Sequence, residues 1–274
     1  MPRFAANLTM LFTEIGFLER FEAAARAGFD AVEYLFPYDY DKGALRAKLE
    51  EHGLKQVLHN LPAGNWAGGE RGIACLPDRI AEFESGVDRA IEYATALGCP
   101  RVNCLAGIRP TAVSPDLARQ TFVRNLRYAA PRLETAGIAL LIEPINTRDV
   151  PGFFLSSTSQ AMEIINAVGS GHVFVQFDMY HMHMMGEDLA QTVRDHQSSI
   201  AHMQLADAPG RHEPGTGAID YPPLFDVIDH AGYAGWIGCE YNPLTSTERS
   251  FAWCPALRGA RLQADHPPGG RHAP

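Results

Sequence analysis

Four apolar runs in the second half of the chain end in an oxygen-bearing side chain, and this feature constrains the fold most strongly. The runs end at Glu143, Asp178, Gln204 and Glu240, with separations of 35, 26 and 36 residues. One strand-helix-strand unit takes roughly 30 residues. An apolar run without polar alternation is typical of a strand buried on both faces, as in a parallel sheet covered by helices. We therefore predict that the four ends converge on one rim of a closed barrel.

Strand-like and helix-like stretches alternate along the chain, which indicates an α/β fold. We predict eight strands, at residues 4–8, 31–35, 56–60, 101–106, 139–144, 173–179, 200–206 and 235–241. Apolar spacings of three and four residues predict helices between them, most clearly at 80–94 and 17–25. A helix-closing glycine precedes several strands, at Gly28, Gly53, Gly98, Gly137 and Gly232. The pattern predicts a (β/α)₈ TIM barrel, α/β in class.

The length of the chain suits one such barrel. The chain has 274 residues, of which 46% are hydrophobic, and a (β/α)₈ barrel takes about 250 residues. We predict a single domain at residues 1–260. Residues 261–274 are rich in Pro and Gly and offer no apolar face, so we predict a disordered C-terminal tail.

Charge and composition exclude several partners. The formal net charge is −9, so the surface as a whole would repel phosphate backbones and anionic lipid. We expect neither a nucleic-acid partner nor a membrane, since the N-terminus also lacks a signal-peptide core or a membrane span. The five cysteines include no CxxC pair, which indicates reduced thiols and a cytoplasmic protein. The sequence leaves open whether the chain forms a homo-oligomer, in which exposed aromatic residues at Trp66 or at 251–253 could serve as a contact.

The residues at the four strand ends indicate a metal site. Three carboxylates and one amide oxygen suit a hard cation, Mg²⁺ or Mn²⁺, better than zinc. A charge of +2 does not neutralise three carboxylates, so at least one of them should remain basic enough to accept a proton. If a substrate chelates the cation through a carbonyl and the neighbouring hydroxyl, one carboxylate can remove a carbon-bound proton and the opposite one can return it. The intermediate would be an enediolate.

These motifs resemble the hydroxypyruvate isomerase family, a group of xylose-isomerase-like barrels. The resemblance lies in Glu143-Pro-Ile-Asn, Phe177-Asp-Met-Tyr-His181, residues 204–217, Cys239-Glu240-Tyr and the loop at 61–74, and extends to about residue 258. It implies isomerisation of hydroxypyruvate, a small hydroxy-carbonyl acid, to tartronate semialdehyde. It also implies Glu143 and Glu240 as the acid/base pair, with Glu143, Asp178, Gln204 and Glu240 around a divalent metal. Related sugar isomerases and epimerases often carry His where this chain has Gln204.

Several polar residues near the predicted strand ends are candidates for holding substrate. His181 lies three residues beyond Asp178 and could donate a hydrogen bond to a substrate oxygen, or else be a structural histidine. We interpret His183 as structural or solvated. His59 and Asn7 end earlier strands, where they could orient a ligand or simply satisfy the backbone at the rim.

A substrate carboxylate calls for an arginine, and two loops supply one. Arg71 shares a Gly-rich loop with Trp66, and the loop suits a lid that excludes water. Arg211 follows Gln204 directly in the next loop. Each could instead be a surface residue, paired with Glu70 or Glu213 respectively.

Other functions remain as alternatives. The same chemistry would serve a larger 2-oxo acid such as 2-oxo-tetronate, or a neutral ketose in an isomerase or epimerase. Metal-dependent endonucleases share this kind of barrel, but they need several metals, many His ligands and a basic track for phosphates. A non-catalytic barrel that binds a metabolite is also consistent with the fold.

Overall fold

Eight parallel strands close into a barrel in chain order in the computed structural model, which describes residues 2–257. The strands are β1 Arg3–Asn7, β2 Ala31–Glu33, β3 Lys55–Asn60, β4 Arg101–Cys104, β5 Ala139–Ile142, β6 Val173–Asp178, β7 Ile200–Leu205 and β8 Trp236–Cys239. Parallel pairing of β1 with β8, in register at Arg3 and Trp236, closes the ring. The predicted (β/α)₈ fold and all eight strands are confirmed. Seven strands end one or two residues earlier than predicted, because the last residues leave the ladder to form the rim.

Helices cover the outside of the barrel. They are α1 Arg20–Arg26, α2 Lys42–Glu51, α3 Ile80–Leu97, α4 Pro115–Thr135, α5 Thr158–Val168, α6 Met179–Met184, α7 Leu189–His196, α8 Tyr221–His230 and α9 Thr247–Ser250. Short 3₁₀ helices lie at Phe17–Glu19, Pro77–Arg79, Gln197–Ser199, Phe251–Trp253 and Pro255–Leu257. The predicted apolar stripe of α3 is buried. The predicted helix at 17–25 begins instead as a 3₁₀ turn and continues as α1.

Side chains and glycines set the helix ends as the sequence indicates. Ser114 begins α4 by accepting a hydrogen bond from the backbone N–H of Leu117, at 3.2 Å. Gly98 ends α3 in the left-handed conformation, with φ at +64°, which lets the chain turn into β4 without a Cβ penalty. The other four predicted glycines also have positive φ.

Polar side chains concentrate in the interior of the barrel towards the C-terminal ends of the strands. The N-terminal end of the interior is apolar, with Ala5, Ala31 and Val57 in one cluster. Towards the other end, the buried polar side chains are Asn7, Glu33, Asn60, Asn103, Glu143, Gln176, Asp178, His202, Gln204 and Glu240. Buried polar groups are costly unless they pair, so their concentration marks the functional end of the barrel.

The aromatic residues proposed as subunit contacts pack wholly or partly within the chain. Phe251 is buried, with its ring centroid 5.8 Å from that of Phe12. Trp253 packs edge-on against Phe4, and Trp66 is partly buried against the core. The prediction that these aromatics are exposed is therefore wrong for Phe251, because its ring fills space inside the fold.

Three further predictions concern other parts of the chain. All five cysteines are buried thiols, in agreement with the absence of a CxxC pair. Among residues 2–257, every helix is too short or too polar to cross a bilayer. The predicted domain boundary at residue 260 and the predicted tail at 261–274 lie outside the described residues.

Candidate active site

Four neighbouring strands, β5 to β8, carry the four residues predicted to meet at the rim. Asp178 ends β6 and Gln204 lies near the end of β7, and the two are in register. Glu143 and Glu240 directly follow β5 and β8. All four side chains are buried. The structure thus brings the predicted set to the same end of the barrel.

Glu143 is held by an asparagine from β4. Asn103 Nδ2 donates to Glu143 Oε2 at 2.9 Å and to Asn60 Oδ1 at 3.2 Å. Burial raises the pKa of Glu143 well above its usual range, and the negative charges of Glu240 and Asp178 raise it further. A carboxyl group with a perturbed pKa inside a cluster of charges is a candidate for proton transfer.

Asp178 divides its two oxygens between the fold and the site. Oδ1 accepts from the backbone N–H of Tyr180 at 2.8 Å and of His181 at 3.4 Å, so it begins α6 as the N-cap residue. Oδ2 lies 3.3 Å from Arg211 Nη2 and 3.6 Å from His181 Nε2. The helix start therefore fixes one oxygen and leaves the other facing the carboxylate cluster.

His181 lies inside the carboxylate cluster, and its contacts identify which of its two ring nitrogens carries the proton. Asn146 Oδ1 accepts from the backbone N–H of Arg148 and Asp149, so the amide turns its Nδ2 towards His181 Nδ1, at 2.7 Å. The neutral ring then carries its proton on Nε2. Burial lowers the pKa of His181 to about 4, so the ring is neutral near pH 7. His181 is placed to donate one hydrogen bond from Nε2 beside Asp178.

Arg211 bridges two of the carboxylates. Its Nη2 lies 2.7 Å from Glu240 Oε2 as well as 3.3 Å from Asp178 Oδ2. Burial raises the pKa of Glu240 to about 8, although the Arg211 cation opposes this shift. The alternative of a surface pair with Glu213 does not hold, because a Glu213 oxygen accepts instead from the backbone of Leu244. Arg211 is therefore part of the site.

The loop that carries Arg211 is organised by a buried aspartate that the sequence analysis did not single out. The carboxylate of Asp207 accepts from five backbone N–H groups at 2.8–3.1 Å, those of Ala208, Gly215, Thr216, Gly217 and Ile219. The backbone N–H of Asn242 donates to Arg211 O at 2.8 Å, which joins this loop to the one after β8. The loops that carry Arg211 and Glu240 are thus held together.

Each end of the Gln204 amide has one hydrogen-bond partner. Its Nε2 donates to Glu33 Oε1 at 2.7 Å, and its Oε1 accepts from Gln176 Nε2 at 2.6 Å. Asn7, a candidate for orienting a ligand, donates from Nδ2 to the same Glu33 oxygen at 2.9 Å. Asn7 therefore contacts Gln204 through Glu33.

Arg71 and Trp66 contact each other in the loop after β3. The Arg71 guanidinium lies 4.3 Å from the centroid of the Trp66 ring, and its Nη1 donates to two backbone oxygens of the same loop. The carboxylate of Glu70 pairs with Arg79, at 2.7 Å, and not with Arg71. The guanidinium of Arg71 is thus held by neutral groups, and the surface pair with Glu70 considered above is not formed.

His59 lies away from the carboxylates. Its Nδ1 accepts from Gln56 Nε2 at 3.3 Å, and its ring packs 6.0 Å from that of Tyr38, in the layer between β3 and the helices. Successive side chains of a strand point to opposite faces, so Asn60 faces the interior and His59 faces the helices. The contacts of His59 therefore do not support its predicted role in substrate binding. Asn60, which the sequence analysis missed, takes the interior position.

The donor set fits a divalent cation. Glu143, Asp178 and Glu240 are buried, and burial, together with the charges of the other two, raises the pKa of Glu143. Carboxylate or imidazole atoms of Glu143, Asp178 and His181 lie within 4.8 Å of one another. Arg211 supplies a single positive charge beside three carboxyl groups, and a hard cation would favour the ionised form of all three.

Comparisons with known proteins agree with this geometry. The family model described as xylose isomerase-like TIM barrel matches residues 21–257. A crystal structure of a Brucella melitensis protein titled AP endonuclease, family 2 superposes with a TM-score of 0.90 at 45% identity, over 92% of this chain and 98% of that one. L-ribulose 3-epimerase shares the fold, with a TM-score of 0.76 at 22% identity. Fold and site together define a xylose isomerase-like TIM barrel.

Two relatives narrow the class. The hydroxypyruvate isomerase of Escherichia coli is 51% identical over 258 residues, which cover 94% of this chain and all of that protein. The 2-oxo-tetronate isomerase of Pectobacterium atrosepticum is 46% identical over 92% of this chain and 97% of its own length. The chain belongs to the hydroxypyruvate isomerase family of these barrels, which confirms the resemblance seen in its motifs.

Proposed function

We propose that this chain is a hydroxypyruvate isomerase, which interconverts hydroxypyruvate and tartronate semialdehyde. The observation that carries the proposal is the meeting of two buried glutamates of raised pKa, Glu143 and Glu240, at the barrel mouth. The 51% identity to the Escherichia coli enzyme over that protein's whole length supports the choice of substrate.

The reaction moves one hydrogen between adjacent carbons. One glutamate removes a proton from the hydroxymethyl carbon of hydroxypyruvate, and the electron pair shifts to give an enediolate. The hydroxyl hydrogen of the terminal carbon moves to the former carbonyl oxygen, and the other glutamate delivers a proton to the former carbonyl carbon, which leaves an aldehyde at the end of the chain. Glu143 and Glu240 are proposed as this pair, and burial raises the pKa of each above that of an ordinary glutamate, which suits a group that both accepts and donates a proton.

We propose that Glu143, Asp178, Gln204 and Glu240 hold a Mg²⁺ or Mn²⁺ ion. When bound, such an ion stabilises negative charge on substrate oxygens. The support is the chemistry of the donors, all of them oxygen, and the excess of negative charge among them.

His181 and Arg211 are proposed to fix the substrate. His181 would donate from Nε2 to a substrate oxygen, since Asn146 occupies its Nδ1. Arg211 would bind the substrate carboxylate, because its Nε is buried without a hydrogen-bond partner among residues 2–257. The loop of Trp66 and Arg71 would cover the site and exclude water, with Arg71 as a second candidate for the carboxylate.

A 2-oxo-tetronate isomerase is the second candidate, because relatives of that name are 46% identical to this chain. A substrate panel separates the two. Hydroxypyruvate, 2-oxo-tetronate and a neutral ketohexose are assayed with Mg²⁺, with Mn²⁺ and with a chelator. We expect the highest kcat/KM on hydroxypyruvate and loss of activity with chelator. A higher kcat/KM on either other substrate, or activity that a chelator leaves unchanged, would contradict the proposal.

We propose a small-molecule substrate rather than a nucleic acid, and a cytoplasmic location. The net charge of −9 and the carboxylate-rich mouth oppose a phosphate backbone. Five buried thiols are consistent with a reducing compartment. Assembly as a homo-oligomer remains a prediction.

A further inference from the structure

A buried carboxylate beside Gln204 takes no part in the proposed proton transfer. Glu33, at the end of β2, is 1% exposed. Its Oε1 accepts from Asn7 Nδ2 at 2.9 Å and Gln204 Nε2 at 2.7 Å, and its Oε2 accepts from His202 Nε2 at 2.6 Å. Three side-chain donors from β1 and β7 thus converge on one carboxylate inside the barrel. Both oxygens of Glu33 are thus engaged as hydrogen-bond acceptors, and Oε1 is shared by Asn7 and Gln204.

Strand β8 leaves room for the Glu33 carboxylate. Gly238 of β8 is in register with Gln204. A Cβ built on Gly238 would lie 2.2 Å from Glu33 Oε1 and 2.4 Å from its Oε2. Any side chain at position 238 would therefore displace the Glu33 carboxylate from its place beside Gln204.

The contact has a direct consequence for the Gln204 amide. A glutamine can coordinate a cation through its oxygen but not through its NH₂ group. Because Glu33 Oε1 accepts from Gln204 Nε2, it fixes the NH₂ of Gln204 on the Glu33 side and leaves the amide oxygen on the other. Gln176 Nε2 uses one lone pair of that oxygen, at 2.6 Å, and the second lone pair remains for another partner.

We infer that Glu33 is a positioning residue that makes Gln204 a competent metal ligand. Glu33 sets which end of the Gln204 amide faces the cation. The Glu33 carboxylate beside the NH₂ group also increases the electron density on the amide oxygen. Carboxylates act in the same way on the far nitrogen of a metal-bound histidine. The inference rests on the proposed metal site.

Metal affinity tests the inference without turnover. Metal-free protein is titrated with Mn²⁺ by calorimetry, for the unsubstituted chain and for Glu33→Gln. The amide oxygen introduced at position 33 can still accept from Asn7 and Gln204, but the negative charge is lost. We therefore expect the Kd for Mn²⁺ to rise about 10-fold to 100-fold. Glu50→Gln is the matched control: it removes the same charge from exposed α2, where Glu50 pairs with Arg46 at 2.7 Å, and should leave Kd unchanged.

Gly238→Ala supplies a second test, because it displaces the Glu33 carboxylate while keeping every charge. We expect it to raise Kd at least 10-fold, and it decides the question if Glu33→Gln does not fold. Thermal melts of the metal-free proteins distinguish this positioning role from a purely structural one. A purely structural role would lower the melting temperature but leave the Mn²⁺ affinity of the folded protein unchanged. Unchanged affinity in the folded variants would overturn the inference. Absence of Mn²⁺ binding by the unsubstituted chain would instead refute the proposed metal site.

Discussion

Individual residues at the barrel mouth differ in how far the sequence determines them. Glu143, Asp178, Gln204 and Glu240 could be predicted because each ends an apolar run, and parallel strands bring such ends together. Glu33 satisfies the same criterion after Ala31-Val32 but was missed, because the run is only two residues long. Asn103 was missed because an asparagine within a predicted strand has no distinctive pattern.

The direction of Arg211 could not be predicted, since it depends on the loop built around Asp207. The Arg211 backbone has φ at +56°, a value uncommon for a residue other than glycine. Loop conformation is set by tertiary hydrogen bonds, which a single sequence does not reveal. The structure therefore decides between a surface ion pair and a place in the site.

We predict that Arg211→Lys lowers kcat/KM for hydroxypyruvate about 10-fold to 100-fold, mostly through KM. A lysine keeps the charge but loses the planar fork that can contact Glu240, Asp178 and a substrate carboxylate at once. Steady-state kinetics on the metal-loaded enzyme measure the effect, with exposed Arg148→Lys as the control. An unchanged KM in Arg211→Lys would exclude Arg211 as the carboxylate ligand.

Among the elements, β3 shows where strand prediction succeeds and where it stops. Its bounds were predicted to within one residue, but the face of each side chain was not. The register between β2 and β3 shifts at Val32 and Glu33. Because of this irregularity, Gln56 and His59 both face the helices although they are three residues apart. Simple alternation from the sequence cannot anticipate such a shift.

The position of His59 predicts a pH dependence of stability. Burial lowers the pKa of His59 to about 3 in the folded chain, against about 6.5 in an unfolded one. Between these values the unfolded chain binds the proton and the folded chain does not, so folding weakens as the pH falls. The contribution is about 1.4 kcal/mol per pH unit below 6.5.

His59→Gln should remove this dependence. Chemical denaturation of metal-free protein from pH 7 to pH 5 gives the free energy of unfolding of both proteins. We expect the difference between them to shift by about 2 kcal/mol in favour of the variant at pH 5, which is 1.5 pH units below the unfolded pKa. Parallel profiles for the two proteins would show that His59 is not responsible.

At the scale of the whole molecule, the closed barrel makes the site possible. Closure in chain order places the ends of all eight strands on one ring, so residues far apart in sequence meet at the mouth of the barrel. The fold could be predicted because the strand-helix unit repeats. The substrate could not, because the length of the pocket depends on loops.

The most direct test of the account follows a hydrogen atom. Hydroxypyruvate is incubated in D₂O with the metal-loaded enzyme, and NMR measures deuterium at the substrate carbons together with conversion to tartronate semialdehyde. We predict that Glu143→Gln and Glu240→Gln each lower exchange and conversion about 10²-fold to 10⁴-fold. The control variant Glu84→Gln, in α3, should exchange and convert at nearly the unsubstituted rate. The melting temperatures of all three variants should change little. Exchange at the unsubstituted rate in either glutamate variant would contradict the assignment of these two residues as the pair that moves the proton.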